Sequence, residues 1–521
     1  MSAPPATWRP TRDLAVPAAG PPPARHRGVV LAVCCSSLFM VGLDNTIVNI
    51  GLPSIGRSLH TGVSGLQWTV AAYTVTLASL LIFSGALADR IGRRATFQVG
   101  LAVFVLGSWL CSLAPGLGWL IAFRVLQGAG GSMLNPAALG IITNTFTRPG
   151  ERARAIGAWD GVFGLSMALG PVLGGVLVSW AGWRGIFWAN IPVGLAAVAL
   201  VAVFVPESRA AGSRRPDPAG QVLLTVMLAA LATAIIEGPG CGWLSPQTLG
   251  LSVLAATALA ALAAYERRRA DPLIQVRLFR SVPFAGANLT AVCAIAALAG
   301  FLFLTSVYLQ EVRGMSALRA GLAVVPMPAE MAVCAPLAGR VIARRGSRGP
   351  AVAAGVALML SCAALSGLTR AASPGFLALA FSLFGAGVGL ASPVITYGVM
   401  SGVPRWQAGL ASGINSSSRQ LGQSLGIAVV GTVLAGSLHG PMRSGFTHAA
   451  QACWWIMAGC GYAVFLAALA STSGWAKTTA ARLAEQGPRP CLPARPPAAC
   501  HRAARRCPPR GAVFCPAARR G

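Results

Sequence analysis

Only thirteen acidic residues stand among 521, and several fall where an acid is expensive. Asp44 is the only acid in the apolar run from about Gly28 to Leu52. An ionisable group at membrane depth costs hydration energy and marks a site of function by default. A carboxylate there suits a group that must both load and release a proton. Asp160 and Glu330 also lie inside apolar runs, the latter among Pro326, Pro328 and Pro336. Either can bind a proton or a cationic substrate. Arg124 interrupts another run, LIAFRVLQGAG at 120–130, with Gln127 three residues on, one helical turn away. Asp44, Arg124, Glu330 and Asp160 are the candidates for proton coupling. Asn45 and Asn49 share a helix face beside Asp44, and Asn415 and Arg419 interrupt a late run. With Gln127 they are candidates for a polar pathway.

These residues need membrane helices to hold them. Charged residues make up 10% of the chain and apolar ones 55%, with a mean hydropathy of +0.65. Soluble globular proteins carry about 25% charge, so a large soluble enzyme and a disordered chain are both excluded. A span needs roughly 20 apolar residues. Candidate spans lie near 28–52, 66–87, 95–114, 118–145, 153–179, 185–205, 219–237, 247–265, 284–309, 317–342, 350–368, 374–398, 408–435 and 449–471. The first is too long, and too polar at Asp44 and Asn49, for a signal peptide. The expected fold class is an all-α polytopic membrane protein of fourteen spans.

The net charge of +28 does not point to nucleic acid, because the arginines sit in short loops between apolar runs. Of the 41 basic residues, 23 fall in one alternating set of loops and six in the other. That bias predicts an even span count with both termini cytoplasmic. All five histidines lie in predicted loops or tails, and no Gly-x-x-x-x-Gly-Lys-Ser/Thr string occurs, so neither enzyme chemistry nor a cofactor is expected. Cys491, Cys500, Cys507 and Cys515 lack the spacing of a zinc site, so no metal is expected.

A repeat divides the chain. Gly85, Arg90, Gly92 and Arg94 return as Gly339, Arg344, Gly346 and Arg348, an offset of 254, while Ala343 replaces Asp89. Gly157 and Gly170 similarly match Gly413 and Gly426. Duplicated halves with a site at their interface are characteristic of alternating-access transporters. The expected organisation is a disordered basic arm (1–27), a six-helix half (28–205), two inserted helices with their loops (206–283), a second six-helix half (284–471) and a disordered Pro/Arg/Cys tail (472–521).

Two motifs carry further information. GALADRIGRRATF at 85–97 sets Gly85, Asp89, Arg90, Gly92, Arg93 and Arg94 in a turn between two spans. In span 5, Gly157, Gly161, Gly164, Ala168, Pro171 and Gly175 form a continuous stripe of small residues and proline, and Gly170, Pro171, Gly174 and Gly175 favour a kink. The stripe alone predicts close helix packing.

The first motif resembles the signature loop of the major facilitator superfamily. Arg-x-x-Gln-Gly-x-Gly from Arg124 and GPVLGG from Gly170 resemble two further motifs of that family, the second separating exporters from importers, although Leu165 interrupts the usual glycine series. LDNTIVNIGLP at 43–53, WRGIFWANIP at 183–192, YLQEVRGMSALRAGLAVVP at 308–326 and AGLASGINSSSRQLGQSLGIA at 408–428 resemble its drug:proton antiporters with fourteen spans. The resemblance covers residues 28–471. It implies a major facilitator fold in the plasma membrane and proton-coupled export of an amphipathic drug or antibiotic, by a monomer that binds lipid, protons and a small molecule but no nucleic acid. It also implies that Asp89 latches the two halves at the cytoplasmic face against the N-terminus of the helix beginning near Ala408. A carrier for a dedicated metabolite and, more remotely, a non-transporting receptor remain as alternatives.

Overall fold

The computed structural model describes residues 24–209, 217–269, 276–403, 408–438 and 442–485. Helices dominate the described residues and no strand occurs among them. Within hydrocarbon a helix meets every backbone hydrogen bond internally. The first half comprises α1 (Ala24–Leu59), α2 (Val63–Ile91), α3 (Arg93–Leu113), α4 (Leu117–Thr145), α5 (Pro149–Ala181), α6 (Arg184–Trp188) and α7 (Asn190–Phe204). A hairpin follows, α8 (Pro218–Cys241) and α9 (Pro246–Arg268). The second half comprises α10 (Val282–Val307) with a π turn over Tyr308–Val312, α11 (Ala317–Val324), α12 (Pro326–Arg345), α13 (Arg348–Ser366), α14 (Pro374–Ser401), α15 (Ala408–Ser437) and α16 (Met442–Ser471).

Each of the fourteen predicted segments falls in this helical frame. Eleven helices, counting α6 with α7 and α11 with α12, are long and apolar enough to cross a membrane, or twelve with the bent α5. The expectation of fourteen exceeds that number. The difference lies in α4 and α15, whose lengths of 29 and 30 residues suffice. Arg124, Gln127 and Asn135 dilute the first, and Asn415, Arg419, Gln420 and Gln423 the second.

Helix α5 bends by 43° between Met167 and Leu169. The cause is Pro171, which lacks an N–H for the Met167 carbonyl four residues earlier and whose ring crowds it. The expected kink is therefore present, slightly ahead of the proline.

The two halves meet along α2 with α15 and along α5 with α11 and α12. Helix α8 fills the outer groove of the first seam. Gln221 donates to the Ser79 carbonyl at 2.7 Å, Trp68 donates to Glu237 at 2.6 Å, and Thr432 donates to the Ile235 carbonyl at 2.6 Å. Glu237 is half-buried against the indole N–H of Trp68.

The hydrogen bonds described between the halves run from mid-span to the end bearing Leu59 and Ala317. Arg57 pairs with Glu311 at 2.5 Å. Gln310 donates to the Ile50 carbonyl at 2.9 Å, and Ser306 donates to that of Asn49. Positions 57 and 311 are 254 apart, the offset of the sequence repeat, so matched positions of that repeat face each other at this clasp.

The expected arm and tail shift at their edges. Helix α1 already begins at Ala24, and a further helix, α17 (Gly474–Glu485), occupies the start of the predicted disordered tail. Ala476 is fully buried, and Thr479 accepts from the Val282 amide at 3.1 Å. The remainder of both termini lies outside the described residues.

Candidate functional site

The strongest arrangement of polar groups lies inside the first half. Asp44 on α1 and Arg124 on α4 are both fully buried and pair at 2.6 Å. The two residues are 80 apart in sequence. Arg124 also donates to Gln127 Oε1 at 2.8 Å and to the Thr69 carbonyl at 3.0 Å, and its guanidinium lies 4.3 Å from the Tyr73 ring centre. The second Asp44 oxygen accepts from Gln127 Nε2 at 3.0 Å and Asn190 Nδ2 at 3.4 Å. Ser108 accepts from Asn190 and Gln127 and donates to the Phe187 carbonyl. Six helices, α1, α2, α3, α4, α6 and α7, thus contribute to the network around one ion pair. Arg124 Nη2 and Tyr73 Oη nonetheless have no hydrogen-bond partner among the described residues.

Gln127, expected in a polar pathway, joins this cluster instead: its amide is spent on Asp44 and Arg124, and it is not among the residues lining the cavity described next. Three members were missed by sequence reasoning. Asn190 stands in the quoted WRGIFWANIP string, so an amide interrupting an apolar run was the available signal. Ser108 and Tyr73 gave none, because serine and tyrosine are common in membrane helices.

Beside the cluster, between the halves, lies a cavity of about 520 Å³. Asn45, Asn49, Asn415 and Arg419 line it, as the pathway reading expects, with Asn135, Gln420 and Gln423 added. Trp159, Met167, Leu298, Leu302 and Met400 supply apolar wall. Gln423 donates to Asn45 Oδ1 across the interface at 3.2 Å, and Arg419 Nε donates to Asn415 Oδ1 at 3.3 Å. Asp44 does not line the cavity, although its neighbour Asn45 does. The cavity reaches toward the arginine-rich end, past Leu139, Ile156 and Val399, and the Arg57–Glu311 clasp lies at the other end.

Of the remaining coupling candidates, Glu330 does not join the Asp44 cluster. Glu330 is half-buried on α12 and accepts from the Cys334 thiol at 3.3 Å. The side chain of Asp160 lies outside the described residues.

The Gly85–Arg94 motif closes on its own half. Gly92 adopts φ +131°, a region left to glycine, and this lets the chain turn from α2 into α3. Asp89, 42% exposed, accepts from Arg93 at 3.0 Å and 3.2 Å, and Arg93 donates to the Gly140 carbonyl. Arg94 donates to the Ala202 carbonyl, and Arg90 is exposed. Glu207, which sequence reasoning missed, accepts from the Arg94 and Ala95 amides and so caps α3. Gly85 faces Pro136 of α4.

The small-residue stripe of α5 splits. A Cβ on Gly174 would lie 2.9 Å from Ile47 of α1, and one on Gly175 would lie 2.6 Å from the Ala317 carbonyl of α11. Gly170 presses on Thr46, and the Pro171 carbonyl meets Gly321. Gly157, Gly161 and Gly164, by contrast, have nothing within 4 Å of a Cβ position among the described residues. The expectation of one continuous packing stripe is thus corrected. On the N-terminal side of the 43° bend, Ala155, Ile156 and Trp159 still pack against the core of the first half, while Gly157 borders the cavity.

Comparison with known proteins agrees with this geometry. Residues 34–427 match the family model described as Major Facilitator Superfamily. The chain is 39% identical over 398 residues to the multidrug resistance protein Stp of Mycobacterium tuberculosis, covering 76% of this chain and 74% of that one. It is 38% identical over 402 residues to the tetracenomycin C resistance and export protein of Streptomyces glaucescens, with the same coverage. It is 36% identical over 412 residues to the methylenomycin A resistance protein of Streptomyces coelicolor, covering 78% and 86%. Its fold is similar to a crystal structure of a bacterial homologue of the human lysosomal transporter Spinster, inward-facing and unoccupied, with TM-score 0.61, 17% identity and coverage of 90% and 100%. It is also similar to the human organic anion transporter MFSD10, with TM-score 0.58, 19% identity and coverage of 86% and 100%. Taken with two helical halves around a shared cavity, these matches make the chain a member of the major facilitator superfamily, a multi-pass membrane transporter and not an enzyme.

Proposed function

We propose that this transporter is a proton-coupled secondary exporter of amphipathic drugs or antibiotics, working by alternating access in the plasma membrane. The observation that carries the reading is the interface cavity, clasped at one end by Arg57–Glu311 and reaching toward the arginine-rich loops at the other. Those loops mark the cytoplasmic face by the charge rule, which puts both termini inside with fourteen spans, α4 and α15 included. The structure then corresponds to the inward-open half of the cycle. The relatives named for resistance and export support the outward direction.

Proton coupling is assigned to Asp44 with Arg124. The pair is buried one residue from the cavity wall and is incompletely satisfied at Arg124 Nη2 and Tyr73 Oη. A buried polar group left unpaired costs about 1–3 kcal/mol, so the cluster is poised to change state. Protonating Asp44 removes its charge, frees Arg124 to change partners, and so biases one packing of the halves over the other.

The test is a susceptibility panel in an efflux-deficient host, with and without a protonophore, for the intact chain and for Asp44→Asn. Protection that the protonophore and Asp44→Asn both abolish is expected. Protection that survives Asp44→Asn moves the proton to Glu330 or Asp160, and no protection at all favours a dedicated metabolite carrier. Cysteines introduced at Ser245, between α8 and α9, and at Gly521 test the orientation. An impermeant reagent should reach only the first in intact cells, and labelling of the second would reverse it.

A further inference from the structure

A second cavity, also of about 520 Å³, lies at the arginine-rich end of the second half. It opens among α10, the α12–α13 turn, α14, α16 and α17, and shares no lining residue with the cavity between the halves. Arg345 and Arg348 line it from the turn. Neither has an ion pair or a hydrogen bond among the described residues, and no carboxylate is among the residues lining the cavity. Tyr397, Ser401 and Ser471 add hydroxyls, and Ala287, Val394 and Ala468 add apolar wall. Two guanidiniums on one space without a counter-charge repel each other and leave their donor forks open.

The matching turn of the first half shows what such a space takes. The offset of 254 sets Asp89, Arg93 and Arg94 against Ala343, Ser347 and Arg348. Asp89 accepts from Arg93, and Glu207 accepts from the Arg94 and Ala95 amides. The first half therefore brings two carboxylates of its own to this turn. In the second half Ala343 replaces one of them, and no residue lining the cavity replaces the other.

We infer that this cavity holds the headgroup of an anionic phospholipid, with its phosphate between Arg345 and Arg348. Arginine matches phosphate oxygens with two parallel N–H donors, and basic pockets between spans at the cytoplasmic side suit such headgroups. The phosphate stands where the first half uses its own carboxylates. The cavity is larger than a phosphate alone requires, and its hydroxyls suit a glycerol headgroup while its apolar wall suits the start of an acyl chain. Trp475 on α17 is 65% exposed, and tryptophan settles at headgroup depth, which sets this rim at the membrane surface. A choline headgroup would bring its own cation against the two arginines. The site is independent of the transported molecule and of proton coupling.

The experiment titrates the full chain in detergent micelles with dioleoylphosphatidylglycerol or dioleoylphosphatidylcholine and counts bound lipid by native mass spectrometry. The glycerol lipid should fill its tightest site about thirtyfold more tightly than the choline lipid, the scale of two arginines at an anionic headgroup. Arg345→Gln with Arg348→Gln should bring that ratio to within about threefold. Arg340→Gln with Arg344→Gln removes the same charge from α12 outside the cavity and should leave the ratio within about twofold of the unaltered chain. Each ratio compares two lipids on one folded preparation, so differences in yield between variants do not enter it. A ratio near one in the unaltered chain overturns the proposal, as does a ratio that persists without Arg345 and Arg348. Equal loss in the two double variants also overturns it and leaves a general attraction of lipid to positive charge. A large excess of inorganic phosphate should not displace the bound lipid; displacement makes the cavity a site for a soluble phosphate and overturns the lipid assignment.

Discussion

Cutting the Asp44–Arg124 pair from either side separates a structural role from a transport role. Arg124→Gln leaves the Asp44 carboxylate with Gln127 at 3.0 Å and Asn190 at 3.4 Å but no cation. Breaking a buried pair from one side costs about 3–5 kcal/mol. Arg124 also gives up the Thr69 carbonyl and its place against the Tyr73 ring, and a desolvated cation–π contact adds roughly 2 kcal/mol. Asp44→Asn keeps the shape but strands the guanidinium, at a similar cost. The double variant has no stranded charge, and replacing both partners of a buried pair is often close to neutral. The double variant should therefore lose at least about 2 kcal/mol less than the two single losses added together, well above the ~0.5 kcal/mol within which independent sites add. The assay is equilibrium unfolding in mixed micelles with increasing sodium dodecyl sulfate, on all four proteins. A coupling under about 0.5 kcal/mol refutes the idea that the two charges hold each other. Export should stay lost in the double variant even though its stability returns. Restored export would make the pair a packing device and move the proton elsewhere.

The remaining expectations concern closure and turning. Ser412 lines the cavity toward the arginine-rich end, so a cysteine there reports opening by its maleimide labelling rate in inside-out vesicles. Asp89→Asn should express normally and raise that rate several-fold, since a helix-dipole contact is worth about 0.3–1 kcal/mol; an unchanged rate and unchanged transport leave the loop as a charge cluster alone. Arg57→Glu sets like charges opposite each other at the clasp and should lower the rate, with recovery on adding Glu311→Arg; no recovery breaks the link between these two residues. Gly92→Ala must hold a φ of +131° with its Cβ 2.5 Å from the Glu207 carboxylate, a strain of about 1–3 kcal/mol, and should cut folded yield and lower the apparent unfolding temperature. An unaltered melting profile would count against that turn.

The frame was legible because hydrophobic length and charge asymmetry act locally along the chain. The bend in α5 was legible for the same reason, since Pro171 acts on a residue four positions away. The pairing of Asp44 with Arg124 was not. Each residue announced itself as an intramembrane charge, but 80 residues separate them, and only the packing of α1 against α4 brings them together. Glu207 was passed over because a carboxylate in an arginine-rich loop looks solvated until α3 offers it two free amides. The glycine stripe misled in the opposite direction, because a periodic pattern continues through a bend while the closeness of the packing on that face does not. Gly157 and Gly175 obey one spacing and meet different surroundings.

The α8–α9 hairpin makes the molecule's flank unequal. It covers the α2–α15 seam, while the α5–α12 seam has no further helix against it among the described residues. Compounds that partition into the bilayer approach a transporter sideways as well as from solution. Here one lateral entrance is shuttered by two additional helices and the other is bare, so a lipid-dissolved molecule meets a wall whose permeability depends on the side from which it arrives.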